Sequence, residues 1–352
     1  MAAHELGFVL AAGTAIRLLA APIAGRVGDH LQNLRAVLVV CTALAAAVTL
    51  GYLEAQGFWL LLAVSLLHAA ALAPMPVLAD ALALGNATPP AGSGRRGFEY
   101  GRVRGAGSAA FIIGTLLSGQ AVAALGLDVI VWLQAVLLAA AALAAFRVPE
   151  IVHQRGGMPR RGAGRDVLAL LRIARFRNVV LVAALILGSH AMHDAFAVIR
   201  WSAAGIGPGI SSLLWSEAVA AEVLVFFLAG PAIIARLTPA GAIALAAMAG
   251  AVRWAVMALT ADTLALALVQ PLHGLTFALL HLSCMRLIAR TVPPGLEGTA
   301  QALYATVGIG AATALLTLAS GPLYGRVGPA GFWLMAALCL LALPVSHQLR
   351  KL

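Results

Sequence analysis

The chain reads as an all-α integral membrane protein of about eleven transmembrane helices in two bundles, five helices and then six. Three observations point there. Hydrophobic residues make up 62% of the sequence and charged residues only 10%, with a mean hydropathy of +0.97, whereas roughly a quarter of a soluble domain is charged. Apolar stretches of ~20 residues, enough to cross ~30 Å of hydrocarbon as helix, follow one another almost to the C-terminus. One long, arginine-rich interruption with a Gly/Pro-rich centre, Arg155-Gly156-Gly157-Met158-Pro159, divides them.

In order, the first span, 6–25, gives way at Arg26, and the second, 36–53, stops at Glu54. Spans 58–82 and 105–125 flank a polar stretch holding Arg95, Arg96, Arg102 and Arg104, and 128–146 runs up to Arg147. Beyond the interruption lie 178–199, bounded by Arg200, 211–235, bounded by Arg236, and 240–259. The last three are 263–287, 298–321 and 328–346. Several contain Gly or Pro, which transmembrane helices tolerate because neighbours satisfy the freed backbone groups and small residues let helices approach. The division is therefore 1–146 as an N-terminal bundle, 147–177 as a linker and 178–352 as a C-terminal bundle.

A net charge of +10 would suggest nucleic acid in a soluble protein, so the placement of the 23 basic residues decides its meaning. Arg200 and Arg326 lie in loops on one side, and Arg17 and Arg253 lie within spans; the remainder fall in the alternate loops. By the positive-inside rule those loops, the linker and the C-terminus are cytoplasmic. The charge reports topology and contact with anionic headgroups of the bilayer, not nucleic acid. Cys41, Cys284 and Cys339 fall in or beside spans at no metal-like spacing and read as packing residues.

The same rule puts Met1 to Glu5 outside, whereas a carrier made of two six-helix halves would start inside. One helix is thus expected to be missing from the front, through a late start codon, a deletion or a natural eleven-helix design.

Motifs then suggest a family. Pro22-Ile23-Ala24-Gly25-Arg26-Val27-Gly28-Asp29-His30, followed by Arg35, resembles the loop between helices 2 and 3 of the major facilitator superfamily. Tyr100-Gly101-Arg102-Val103-Arg104 resembles the entry into the fifth helix of that superfamily's 3-phenylpropionate permease branch. Ser189-His190-Ala191, Leu214-Trp215-Ser216 with Glu222, Val252-Arg253-Trp254, Gln270-Pro271-Leu272-His273-Gly274 and Ala300-Gln301-Ala302-Leu303-Tyr304 follow in the branch's order. There is a looser similarity to nucleoside and oligosaccharide proton symporters. The resemblance covers essentially the whole chain and makes the bundles equivalent to helices 2–6 and 7–12. It implies the major facilitator fold and a monomeric secondary transporter of the bacterial inner membrane, coupling a small-molecule substrate to protons. Gly25, Asp29 and Arg35 would then make gating contacts at the cytoplasmic face.

An ionisable side chain costs ~2.5–3.5 kcal/mol at the centre of a membrane helix and faces a cavity or a partner. Counting ~1.5 Å per residue from the expected helix ends puts Glu222 ~16 Å deep, Arg253 ~10 Å and His273 ~15 Å, so the three can meet. Desolvation and a neighbouring cation act oppositely on a carboxylate's hold on its proton, so a substrate anion that takes Arg253 would change the protonation of Glu222. His273 would serve as relay or hydrogen-bond partner. A static Glu222–Arg253 pair that pins two helices is the structural alternative.

At 100° per residue, Gln270, His273, Phe277 and His281 fall within ~80° of arc, a stripe suited to a cavity wall and an aromatic carboxylate, although His281 also fits a core histidine bonded to a neighbouring backbone. Trp215, seven residues before Glu222, shares its face, while Glu217 does not. His190, His193 and Asp194 share a helix face and are expected to line the outer half of the cavity rather than bind metal, with Asp194 as a second titratable site. Tyr304 completes the expected substrate-binding set. No Ser-His-Asp order, HExxH, Walker loop or Cys-rich set is present as a compact motif, and no enzyme, metal or organic cofactor is expected, the driving force being a proton gradient. Uptake of a small aromatic acid such as a phenylpropionate is the leading expectation. A nucleoside or sugar symporter, a drug exporter of the same fold, and an inactive or regulatory homologue stay open.

Overall fold

The computed structural model describes residues 2–87, 98, 100–149, 163–293 and 296–351. The centre of the linker and the side chains of Asp29, Tyr100, Arg102 and Arg104 lie outside the described residues. Every regular element among them is helical, and the chain divides into two compact units, Ala12–Met158 and Pro159–Leu352, with Ala2–Ala11 grouping with the second.

The first unit contains α1 (Ala3–Leu31) from Ala12 onward, α2 (Leu34–Leu50), α3 (Phe58–Leu72), α4 (Pro74–Ala87), α5 (Tyr100–Leu125) and α6 (Val129–Ala145). Leu34, Leu38, Leu78 and Leu82 form one core, and Ala45, Ala46 and Ala71 pack against Leu138 in another. Thr42 and Thr49 donate to the carbonyls of Leu38 and Ala45 at 2.7 and 2.8 Å, so buried hydroxyls are satisfied within their own helix.

The connection expected over Gly25 to Arg35 is much shorter than the sequence suggested. Gly25 and Asp29 belong to the last turns of α1, which continues to Leu31, and only Gln32 and Asn33 lie between helices. Nothing before Gln32, whose φ is 51°, stops the helix, and Gly28 leaves the space that Leu34 fills. Asn33 caps α2 by accepting from the Ala36 N–H at 2.8 Å, and Arg35, in the first turn of α2, donates to the Val148 carbonyl at 3.3 Å.

The second unit contains α7 (Ala163–Arg172), α8 (Ala174–Gly188), α9 (Ala191–Ala203), α10 (Pro208–Leu224), α11 (Gly230–Leu259), α12 (Thr263–Val269), α13 (Leu280–Thr291), α14 (Glu297–Leu303), α15 (Ala312–Val327) and α16 (Phe332–Lys351). Its core centres on Phe176, Ile186, Met192, Phe196, Trp201, Ile243, Trp254 and Phe332. Wider π turns interrupt the regular winding at Val225–Ala229, Leu275–Leu279 and Tyr304–Ala311, and a 3-10 turn occupies Gln270–Leu272, at Pro271. Such turns re-aim the side chains that follow them.

Large apolar side chains face outward, among them Trp59 at 78% exposure, along with Leu125, Leu127 and Leu268. On a soluble protein these patches would drive association; on a membrane protein they are the lipid-facing surface. Eight stretches among the described residues are long and apolar enough to cross a bilayer, and Val129–Ala145 is a shorter apolar helix. Two of the eight, Pro208–Leu259 and Thr299–Arg350, have 52 residues each. At ~1.5 Å per residue that is ~78 Å, more than twice the hydrocarbon thickness. Each contains a break, at Thr238 (φ 65°, ψ 162°) before Pro239 and at Gly328 (φ 54°).

Candidate functional site

Five ionisable side chains of the second unit form one continuous row. The Arg253 guanidinium stands at its middle, 1% exposed, with Nη1 3.2 Å from His273 Nδ1 and Nη2 3.5 Å from His193 Nε2. On the far side of each ring is a carboxylate: His273 Nε2 lies 3.3 Å from Glu222 Oε2, and His193 Nδ1 lies 3.2 Å from Asp194 Oδ1. A guanidinium has only donors, so both imidazoles must accept from it. Each ring in its neutral form therefore carries its proton on the outer nitrogen and donates it to the carboxylate. The row runs carboxylate, imidazole, guanidinium, imidazole, carboxylate, with every hydrogen bond directed outward from Arg253.

The remaining partners fix this geometry. Gln270, fully buried, accepts from Arg253 Nη2 at 2.7 Å and from Nε at 3.3 Å. The guanidinium also lies over the Trp254 ring, 4.6 Å from its centroid, and the Trp254 indole N–H donates to Ser189 Oγ at 2.8 Å. His190 Nε2 is 3.1 Å from Thr276 Oγ1, which donates to the His273 carbonyl at 3.2 Å. His190 therefore supports the backbone of His273 rather than Arg253 directly.

Two glycines allow the close approach. A Cβ on Gly274 would lie 2.6 Å from the Ala221 carbonyl oxygen, so the absence of a side chain there lets the segment carrying His273 press against the α10 turn that carries Glu222. A Cβ on Gly250, one turn before Arg253, would lie 2.6 Å from Cys339 Sγ and 3.4 Å from Thr276 Cγ2. Close helix packing through glycine thus sets the positions of Glu222, His273 and Arg253.

Glu222, Arg253 and His273 do come together, but not as a direct Glu222–Arg253 pair: His273 stands between them. The stripe expected from 100° per residue also divides. Gln270 and His273 both meet Arg253, and Phe277 stacks on His273 with centroids 5.5 Å apart and planes 21° apart. His281 makes different contacts: its Nδ1 is 3.4 Å from the buried Tyr304 hydroxyl and its ring lies against Phe226. The 3-10 and π turns between Gln270 and Leu279 break the regular winding on which the stripe depended. Trp215 packs on His193, ring centroids 4.7 Å apart. With a guanidinium on one nitrogen and a carboxylate on the other, neither His193 nor His273 has a lone pair for a metal.

Sequence reading missed the link from Asp194 through His193 to Arg253, and the supporting roles of Trp254, Ser189 and Thr276. The available signal was their polarity at mid-span, each needing a buried partner. The ends of the row are its accessible part: Asp194 is 54% exposed, Glu222 23% and His273 16%.

The nucleoside transporter NupG superposes on this chain with a TM-score of 0.80 at 18% identity, covering 100% of this chain and 91% of that structure, a likeness of fold. The match of this chain to a family model over most of its length, and to a curated relative at 33% identity, makes it a multi-pass major facilitator transporter and not an enzyme. The chain belongs to the MFS_1 like family, which it matches over residues 1–335. It is 33% identical over 346 residues to the probable 3-phenylpropionic acid transporter of Escherichia coli (strain K12), covering 97% of this chain and 87% of that protein. It is 25% identical over 335 residues to the maltose permease of Geobacillus stearothermophilus, covering 95% and 82%.

Proposed function

We propose that this transporter is a proton symporter that carries a small aromatic carboxylate, of the phenylpropionate kind, into the bacterial cytoplasm across the inner membrane. The observation that carries the reading is the outward-directed row from Asp194 through Arg253 to Glu222, flanked by the half-buried rings of Phe277 and Trp215. Arg253 is buried, so an incoming carboxylate meets His273 first and reaches the guanidinium by displacing that ring. Displacement frees the Nδ1 lone pair to accept a proton. The resulting imidazolium lies between Glu222 and the substrate carboxylate, and one anion enters with one proton. The aromatic flanks offer a ring somewhere to stack beside that charge. The similarity to a probable 3-phenylpropionic acid transporter supports the same substrate class.

In the accompanying topology each 52-residue stretch crosses twice and Val129–Ala145 crosses once, giving about eleven crossings, with the basic loops and the C-terminus cytoplasmic. Residues 1–146 and 178–352 form the two bundles, 147–177 the linker, and the protein acts as a monomer. Glu222→Gln tests the coupling role. In proteoliposomes acidified outside, the variant should lose uphill accumulation of 3-phenylpropionate while still exchanging internal for external substrate. Undiminished uphill uptake by Glu222→Gln would sink the proposal.

A further inference from the structure

A second site lies in the same unit, well away from the row just described. A cavity of about 500 Å³ is lined by Arg175, Arg236, Arg290 and Arg350 together with the Thr238–Pro239 break in α11. Pro239 is fourteen residues from Arg253, ~21 Å along the helix. The arginines come from four helices: Arg175 from the first turn of α8, Arg236 from the turn of α11 before its break, Arg290 from the last turn of α13 and Arg350 from the end of α16. Among the described residues no carboxylate lines the cavity and none of the four arginines forms an ion pair.

Basic residues at cytoplasmic helix ends are ordinary, but three details go beyond that distribution. The four cations converge on one cavity, where no described carboxylate relieves their mutual repulsion. Arg175 Nε is buried with no hydrogen-bond partner, although Nη2 of the same guanidinium donates to the Leu349 carbonyl at 3.3 Å; a buried N–H of this kind asks for an acceptor. Arg350 Nη2 lies against the first turn of the helix that restarts at Pro239, 3.3 Å from where a Gly241 Cβ would be. That turn is the positive end of a helix dipole, a poor neighbour for a guanidinium and a good one for an anion. The turn is built with a constraint of its own: Thr238 takes a left-handed φ of 65°, and its Oγ1 accepts from the Gly241 N–H at 3.3 Å.

We infer that this cavity binds a phosphate group, either the headgroup phosphate of an anionic phospholipid or a free phosphate ion. A phosphate offers several acceptor oxygens and up to two negative charges, which match several guanidinium forks better than a single carboxylate does. The site uses none of the residues of the proposed transport row, so it stands or falls separately from that reading.

The test uses full-length protein purified in neutral detergent and stripped of lipid. One arm measures thermal stabilisation by inorganic phosphate against chloride at equal ionic strength. The other measures retention of phosphatidylglycerol against phosphatidylcholine by native mass spectrometry. The wild type should favour one of the anionic ligands at least about tenfold; stabilisation by phosphate alone marks a soluble ligand, and retention of phosphatidylglycerol alone marks a lipid. Arg236→Gln/Arg350→Gln removes two exposed cavity arginines and should weaken binding about a hundredfold, at roughly tenfold for each guanidinium removed. Arg172→Gln/Arg286→Gln removes two exposed arginines of the same unit that do not line the cavity, and should leave binding unchanged. Arg236→Lys/Arg350→Lys keeps the charge and loses the fork, so it should fall between. The inference is overturned if the wild type favours neither anionic ligand, or if the two glutamine pairs weaken binding equally, which would mark diffuse charge attraction to the surface.

Discussion

Replacing Gly274 with alanine would put a Cβ 2.6 Å from the Ala221 carbonyl oxygen, 2.9 Å from its carbonyl carbon and 2.9 Å from Val225 Cγ2. The first two obstacles are backbone, so no rotamer change relieves them. Restoring a contact of ~3.2 Å needs a separation of about 0.6 Å between the two segments, and overpacking of this kind costs ~1–3 kcal/mol. His273 is the neighbouring residue, and its link to Glu222 is already 3.3 Å long. A shift of that size along the bond takes it to about 3.9 Å, beyond hydrogen-bonding distance, removing a charged hydrogen bond worth ~1.5–3 kcal/mol. Gly274→Ala should therefore lower the melting temperature in detergent. In proteoliposomes it should sharply reduce 3-phenylpropionate accumulation under an inward proton gradient, while exchange continues. A variant with wild-type melting and wild-type accumulation would show that Gly274 does not hold His273 to Glu222.

Gly250→Ala should also destabilise, but here the nearest obstacle is the Cys339 side chain at 2.6 Å, so Cys339→Ala in the same chain should recover most of the lost melting temperature; no recovery would refute the packing account. Arg253→Lys keeps the charge but cannot span Gln270, His273 and His193 at once, and should raise the concentration for half-maximal uptake roughly tenfold to a hundredfold. Wild-type uptake kinetics in that variant would remove the guanidinium fork from the site. Asp194→Asn leaves an oxygen to accept from His193 and should preserve uphill accumulation while altering its dependence on external pH; complete loss of accumulation would make Asp194, not Glu222, the coupling carboxylate.

Much of the site could be read from mid-span polarity alone. Glu222, Arg253 and His273 each sit where a charge is costly, and rise per residue placed them at compatible depths. The order of contact was not legible, because depth says nothing about which side chain stands between the other two. His281 meets Tyr304 and not Arg253, and depth and angle could not show this: 100° per residue holds only for a regular α-helix, and the segment from Gln270 to Leu279 winds first more tightly and then more widely. In the first unit, Gly25 and Asp29 read as a loop because their segment resembles the superfamily's connection between helices 2 and 3, yet α1 runs past both and ends only at Leu31. The contribution of Gly274 depends on backbone-to-backbone contact with Ala221, distant in sequence, which no local pattern encodes.

The guanidinium at the centre of the row bears on leakage as well as on binding. Hydrogen-bonded rows of histidines and carboxylates make good Grotthuss conductors, handing a proton from one member to the next. A guanidinium does not take part in such hopping, because it gives up no proton near neutral pH and has no lone pair to receive one. Arg253 therefore interrupts the row between the Asp194 end and the Glu222 end, so a proton held at one carboxylate cannot hop along it to the other.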